Sequence, residues 1–88
     1  MIYTEYTEKE IKDFYINIGQ NVKKIRKRYK ISQLDMAQMI GYKSASHFGK
    51  AEICSNNKHF NLEHLYRLSK ALNIDVREFL APIEDVKV

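Results

Sequence analysis

The chain has 88 residues, of which 44% are hydrophobic and 30% charged, and its formal net charge is +4. This size and composition are typical of one small soluble domain with a single core, and they exclude a second domain of ordinary size. No apolar run approaches the roughly 18 residues of a membrane span, and the mixed polar N-terminus is not typical of a signal peptide. The single cysteine, Cys54, excludes an internal disulfide and favours a reducing, cytoplasmic location.

The N-terminal third of the chain predicts helix. Thr7 and Glu10 have the spacing of a capping box, and an apolar stripe at helical period then continues to Tyr29. The stripe predicts either one helix over about 8–29 or two helices separated near Asn17. The second alternative arises because Asn17 and Gly19 both weaken a helix.

Four more helices are predicted downstream, each from a capping side chain followed by apolar residues at helical spacing. They cover about 32–40, 44–52, 61–72 and 75–81. No segment predicts a strand, so the expected fold is all-α, a compact domain of five helices around one core. The expected organisation is an N-terminal helical extension over 1–17, a domain over 18–81 and a C-terminal tail over 82–88.

The basic residues are concentrated in one short segment. Six of the fifteen Lys and Arg residues lie between positions 23 and 30. They are Lys23, Lys24, Arg26, Lys27, Arg28 and Lys30. A local basic block indicates an anionic partner such as nucleic acid or a membrane surface, although a solvated helix face is the alternative.

The second and third predicted helices have the features of a helix-turn-helix, in which two short helices are joined by a tight turn that contains glycine. Ala37 is small enough to lie where the two helices cross, and Gly41 can adopt the positive φ of the turn. Phe48 is expected to anchor the second motif helix to the core, which leaves its other faces free to enter a DNA groove.

Residues at these and neighbouring positions resemble the lambda-repressor-like, Cro-type (xenobiotic-response-element) helix-turn-helix domain. The matching residues are Ile18-Gly19, Ile25-Arg26, Ile31-Ser32-Gln33, Met36-Ala37, Ile40-Gly41, Glu52 and the leucine-rich segment 62–72. The resemblance covers about 18–80 and implies a five-helix DNA-binding domain that works as a dimer on an operator. Three features depart from the family pattern: a turn one residue longer, Cys54 in place of a glycine with a longer loop after it, and Gly49 inside the recognition helix.

The resemblance implies phosphate contacts at the starts of both motif helices and in the loop that follows them, and base contacts along the second motif helix. Phosphate-contacting positions are Ser32, Gln33, Ser44, Asn56, Asn57 and Lys58, and groove-facing positions are Ala45, Ser46, Gly49 and Lys50. Lys43, a cation in the turn, is added as a phosphate contact. The family pattern also implies a structural ion pair between Arg26 and Glu52.

The sequence therefore predicts a small transcriptional repressor, with an antitoxin as the alternative. Leu34 and Met39 lie outside the apolar stripe of their helix and could either form an exposed patch for a protein partner or be covered by the N-terminal segment. No catalytic set or phosphate-binding loop is evident, so neither an enzyme nor a cofactor is expected. The histidines and the cysteine match no zinc-binding spacing, so no metal is expected.

Overall fold

The computed structural model describes residues 5–82, so the start of the N-terminal extension and most of the predicted tail lie outside it. Within this range the chain forms four α-helices and no strand, which confirms the all-α class. The helices are α1 (Glu8–Arg28), α2 (Gln33–Met39), α3 (Ala45–Glu52) and α4 (Leu62–Leu72). Short 3₁₀ helices follow α3 at Ser55–Asn57 and α4 at Val76–Phe79.

The first helix, α1, is continuous, so the single-helix alternative is the right one. Its N-terminus has the predicted capping box, in which Glu10 N donates to Thr7 Oγ1 at 3.1 Å and Thr7 N donates to Glu10 Oε1 at 2.7 Å. The predicted boundary between 17 and 18 falls inside this unbroken helix.

The segment predicted as a fifth α-helix forms a 3₁₀ helix instead. Asp75 caps it by accepting a hydrogen bond from Arg77 N at 2.8 Å. Glu78 N and Leu80 N then donate to carbonyls three residues back, at 3.0 Å each. Only six residues separate Asp75 from Pro82, which leaves little room for the α-helical hydrogen bonds that link each N–H to the carbonyl four residues back. The described range therefore holds four α-helices rather than five.

One core joins the four α-helices and the second 3₁₀ helix. Its buried apolar side chains are Ile18, Val22, Ile25, Met36, Ala37, Ile40, Phe48, Ala51, Phe60, Leu65, Leu68 and Phe79. The C-terminal end of the described range is tied back to α1, because the buried Asn21 donates to Phe79 O at 2.9 Å and to Ala81 O at 2.7 Å. Asn17, expected only to weaken the helix, also donates to Ala81 O, at 2.9 Å.

A close approach between α1 and α3 is made possible by Gly19. A Cβ at this position would overlap the carbonyl oxygen of Glu52 and lie 3.3 Å from Ala51 O. Both obstacles are backbone atoms at the end of α3. The glycine therefore sets how closely α3 is held against α1, which the sequence pattern alone did not indicate.

We expect Gly19→Ala to lower the free energy of unfolding by about 1–3 kcal/mol, because the added methyl forces α1 and α3 apart. Urea denaturation measures the loss. Gln20→Ala, on the exposed side of the same helix, is the matched control and should stay within about 0.5 kcal/mol of the parent chain. A variant as stable as the parent would contradict the close approach, since alanine favours a helix over glycine by about 1 kcal/mol.

Candidate nucleic-acid interface

The segment from α2 to α3 has the geometry of two capped helices joined by a tight turn. Ser32 caps α2 by accepting from Asp35 N at 3.0 Å, and Ser44 caps α3 by accepting from His47 N at 3.2 Å. Each helix begins one residue later than predicted, because the serines are caps outside the helix.

The turn depends on Gly41, whose φ of +82° lies in the left-handed region that glycine adopts without strain. Tyr42 N then donates to Ala37 O at 2.9 Å, which satisfies a carbonyl at the end of α2. Ala37 is fully buried, as expected for the position where the two helices cross.

A buried ion pair anchors α3 to α1. Arg26 Nε donates to Glu52 Oε2 at 2.7 Å, and the side chains are 12% and 1% exposed. A second guanidinium nitrogen lies 3.3 Å from Glu52 Oε1, and the third donates to Ile31 O at 3.3 Å. The ion pair implied by the family resemblance is thus present, and it also fixes the backbone just before the Ser32 cap.

Gln33 extends this network to the start of α2. Its Nε2 donates to Glu52 Oε1 at 3.0 Å, so the side chain is already engaged within the protein. The same carboxamide occupies the space beside Gly49, where a Cβ would lie 3.3 Å from Nε2. Gly49 therefore permits Gln33 to cross onto α3, a role that sequence reasoning missed because the two residues are 16 positions apart.

None of the eleven residues predicted to contact DNA is buried. Five are exposed, namely Ser32, Lys43, Ser46, Asn56 and Asn57, and six are half-buried, namely Gln33, Ser44, Ala45, Gly49, Lys50 and Lys58. They lie on three segments, 32–33, 43–50 and 56–58. The first segment contacts α3 through the hydrogen bond of Gln33, and the third follows α3 in the chain. Each of the eleven residues is thus at least partly accessible to solvent.

The loop after α3 contains three non-glycine residues in the left-handed region. Cys54, Asn56 and Asn57 have φ values of 56°, 56° and 60°. Asparagine tolerates this conformation well, and Cys54 stands where the family pattern has a glycine that would adopt it freely. Burial raises the pKa of the Cys54 thiol, an effect that the nearby Lys12 opposes.

The predicted partner patch is only partly present. Leu34 is 48% exposed, but Met39 is partly buried against the core. Of the two side chains considered for a partner patch, only Leu34 is exposed, because Met39 packs against the core at the end of the short helix α2. Within residues 5–82, no three His, Cys, Asp or Glu side chains are grouped so that they could hold a metal ion.

Comparisons of the chain with protein-family models, with curated proteins and with solved structures gave no match. None of the helices within 5–82 is both long and apolar enough to cross a membrane.

Proposed function

We propose that this protein is a sequence-specific DNA-binding regulator of the lambda-repressor-like class, a small repressor that binds an inverted repeat as a dimer. The observation that supports it best is the unit formed by α2, its glycine turn and α3. Both helices are capped by serine, and the Arg26–Glu52–Gln33 network holds them against α1. A rigid pair of short helices with an accessible polar face suits insertion of α3 into a major groove.

The charge distribution supports an anionic partner. Arg26 forms the ion pair with Glu52, whereas the other five cations of the basic block are exposed. They are Lys23, Lys24, Lys27, Arg28 and Lys30. Only Arg28 has an acidic neighbour at ion-pair distance among these five in the described range, Glu78 at 3.9 Å. The block therefore supplies positive charge at the end of α1, next to the start of α2, where phosphate contacts are proposed.

The proposed base contacts come from small side chains and one long one. Ala45 can meet a thymine methyl group, and Ser46 can hydrogen-bond to almost any base edge. Lys50 is the only long donor among the groove-facing residues, and its best target is O6 or N7 of guanine. Discrimination between sequences should therefore depend heavily on Lys50.

We expect Lys50→Ala to relax the base preference at one position in each half-site, at a cost of about 1–3 kcal/mol for the preferred base. Binding of the variant to a panel of single-base operator changes measures this. Lys70→Ala, which removes an exposed cation from α4, is the control and should keep the preferences of the parent chain. If Lys50→Ala selects the same site as the parent, Lys50 does not read a base.

The proposed function itself is tested by selection of binding sites from random duplex DNA. The expected result is an enriched inverted repeat whose half-site centres lie about 34–36 Å apart. No enrichment above the starting pool would contradict a sequence-specific regulator.

A second candidate is an antitoxin that binds its own promoter and a toxin protein. The exposed Leu34 supports it, because an apolar side chain on an otherwise polar stretch of α2 suits a protein contact. A pull-down from source cells separates the two: a stoichiometric protein partner whose binding is lost in Leu34→Ser favours the antitoxin, and its absence favours the repressor.

A further inference from the structure

The first two turns of α1 extend beyond the domain core. All side chains from 8 to 14 are exposed, and burial begins only with Tyr15, which stacks on His59 at a ring-centroid distance of 3.7 Å. At 1.5 Å per residue, this overhang is about 10 Å long. An isolated helical segment of two turns gains little stability by itself, so a partner that covers it would stabilise it.

The overhang has an apolar side that is only partly covered within the described range. Ile11 and Phe14 are 45% and 52% exposed, and they lie three residues apart on the stripe that Ile18 continues into the core. Ile11 and Phe14 therefore lie on the same side of α1 as Ile18, which packs into the core. The space beside the overhang is bounded at its base by the core and on the side of Ile11 by Cys54 and residues 57–59 of the loop after α3.

The base of the overhang is a second apolar surface. Phe14 and Ile18 line a groove there with Phe60, Leu62 and Leu80. Leu62 is 74% exposed although it occupies the first position of α4. Ile11 lines an adjoining groove, and Tyr15 lines both grooves, so the two apolar surfaces are neighbours along α1.

We propose that this surface is the dimer interface and that its occupant is the overhang of a second copy of the chain. Two overhangs that pack antiparallel about a two-fold axis each fill the space beside the other, at the 8–10 Å spacing of packed helices. Ile11 of each copy then faces Phe14 of the other. The end of each overhang abuts the other copy's core, where Leu62 is exposed.

The charges fit this arrangement. The end that would reach the second copy carries Glu8 and Glu10, which are exposed acidic residues. Lys12 and Lys58 line the groove at the side of the overhang's base together with Glu8 and Lys9 of the same chain, and Lys9 is already paired with Asp13 at 2.7 Å. In an antiparallel pair the acidic end of each overhang therefore approaches Lys12 and Lys58 of the other copy, whereas a parallel pair would bring acidic end against acidic end.

This inference builds on the proposed dimeric operator binding, but it is tested without DNA. Sedimentation of the full chain over a wide concentration range should show a monomer–dimer equilibrium. Phe14→Ser should raise the dissociation constant at least about tenfold, since large apolar side chains at the centre of an interface dominate its affinity. Tyr29→Ser, which alters an exposed aromatic residue at the far end of α1, is the matched control and should dimerise like the parent.

Two results would overturn the inference: a parent chain that is monomeric throughout, or a Phe14→Ser chain that dimerises like the control. Circular dichroism shows whether the variant keeps its helix content, and Ile11→Ser provides a second test should Phe14→Ser fold poorly. Binding of the parent and of Phe14→Ser to a single half-site separates this inference from the proposed function. If Phe14→Ser no longer dimerises but still binds the half-site, the result supports both the proposed interface and the proposed DNA binding. If the parent chain is monomeric and binds the half-site, the proposed interface is wrong and the proposed DNA binding stands.

Discussion

Glu52→Gln should lower the free energy of unfolding by about 3–5 kcal/mol even in the absence of DNA. The carboxylate is 1% exposed and accepts from Arg26 at 2.7 Å and from Gln33 at 3.0 Å. Glutamine retains one acceptor oxygen, and whichever way its carboxamide is turned its NH₂ group faces a donor nitrogen of Arg26. Arg26, only 12% exposed, would then keep its charge without a compensating partner.

Urea denaturation of the two chains measures this loss, and Glu63→Gln is the matched control. Glu63 also pairs with an arginine at 2.7 Å, but the side chains of Arg67 and Glu63 are 48% and 67% exposed. Solvent screens such a pair, so the control should lose less than about 1 kcal/mol. Equal losses in the two variants would show that the Arg26–Glu52 pair contributes no more than a surface pair.

The position of this ion pair links stability to the proposed function. Arg26 holds the backbone at Ile31, and Glu52 holds the side chain of Gln33 at the start of α2. The same glutamate closes the C-terminal end of α3. A disturbance at Glu52 therefore shifts the two elements that would contact DNA relative to α1, so we expect weaker binding together with the loss of stability.

The helix boundaries could be predicted from the sequence because they depend on residues close together in the chain. Ser32, Ser44 and Asn61 each accept a hydrogen bond from a backbone N–H three residues ahead, as capping residues do. The glycine at position 41 was likewise predictable, since a turn after α2 requires a positive φ. The 3₁₀ helix after Asp75 was not, because its pattern of apolar residues is equally compatible with a short α-helix.

The site could be predicted less completely, because parts of it depend on residues far apart in sequence. Glycine has a low helix propensity, so Gly19 is unexpected inside α1. Its presence is explained by the close approach of the α3 backbone, which leaves no room for a Cβ. Gln33 has the composition of a surface residue, yet it bridges to Glu52, 19 positions away. Met39 falls outside the stripe of α2 but is partly buried against the core, since the tertiary fold and not the helix alone decides what is covered.

Affinity for duplex DNA should fall steeply as salt increases. Among the residues proposed to face the groove, Lys50 alone has a side chain suited to strong base readout, so phosphate contacts should supply most of the affinity. Each neutralised phosphate adds roughly 0.9 to the slope of log affinity against log salt. A dimer that makes six or more such contacts would lose about 10³–10⁵ in affinity between about 50 and 200 mM salt.

A titration of the enriched site across salt concentrations measures this slope, and Lys43→Ala identifies part of its origin. Lys43 is exposed in the turn directly before the Ser44 cap, so its loss should weaken all sequences about equally and reduce the slope by about 1 for each half-site contact. Lys70→Ala removes the same charge from exposed α4 and should leave the slope unchanged. A flat titration of the parent chain would exclude a phosphate-dominated interface. Equal slopes for Lys43→Ala and Lys70→Ala would instead move the phosphate contacts away from the turn, toward the exposed cations at the end of α1.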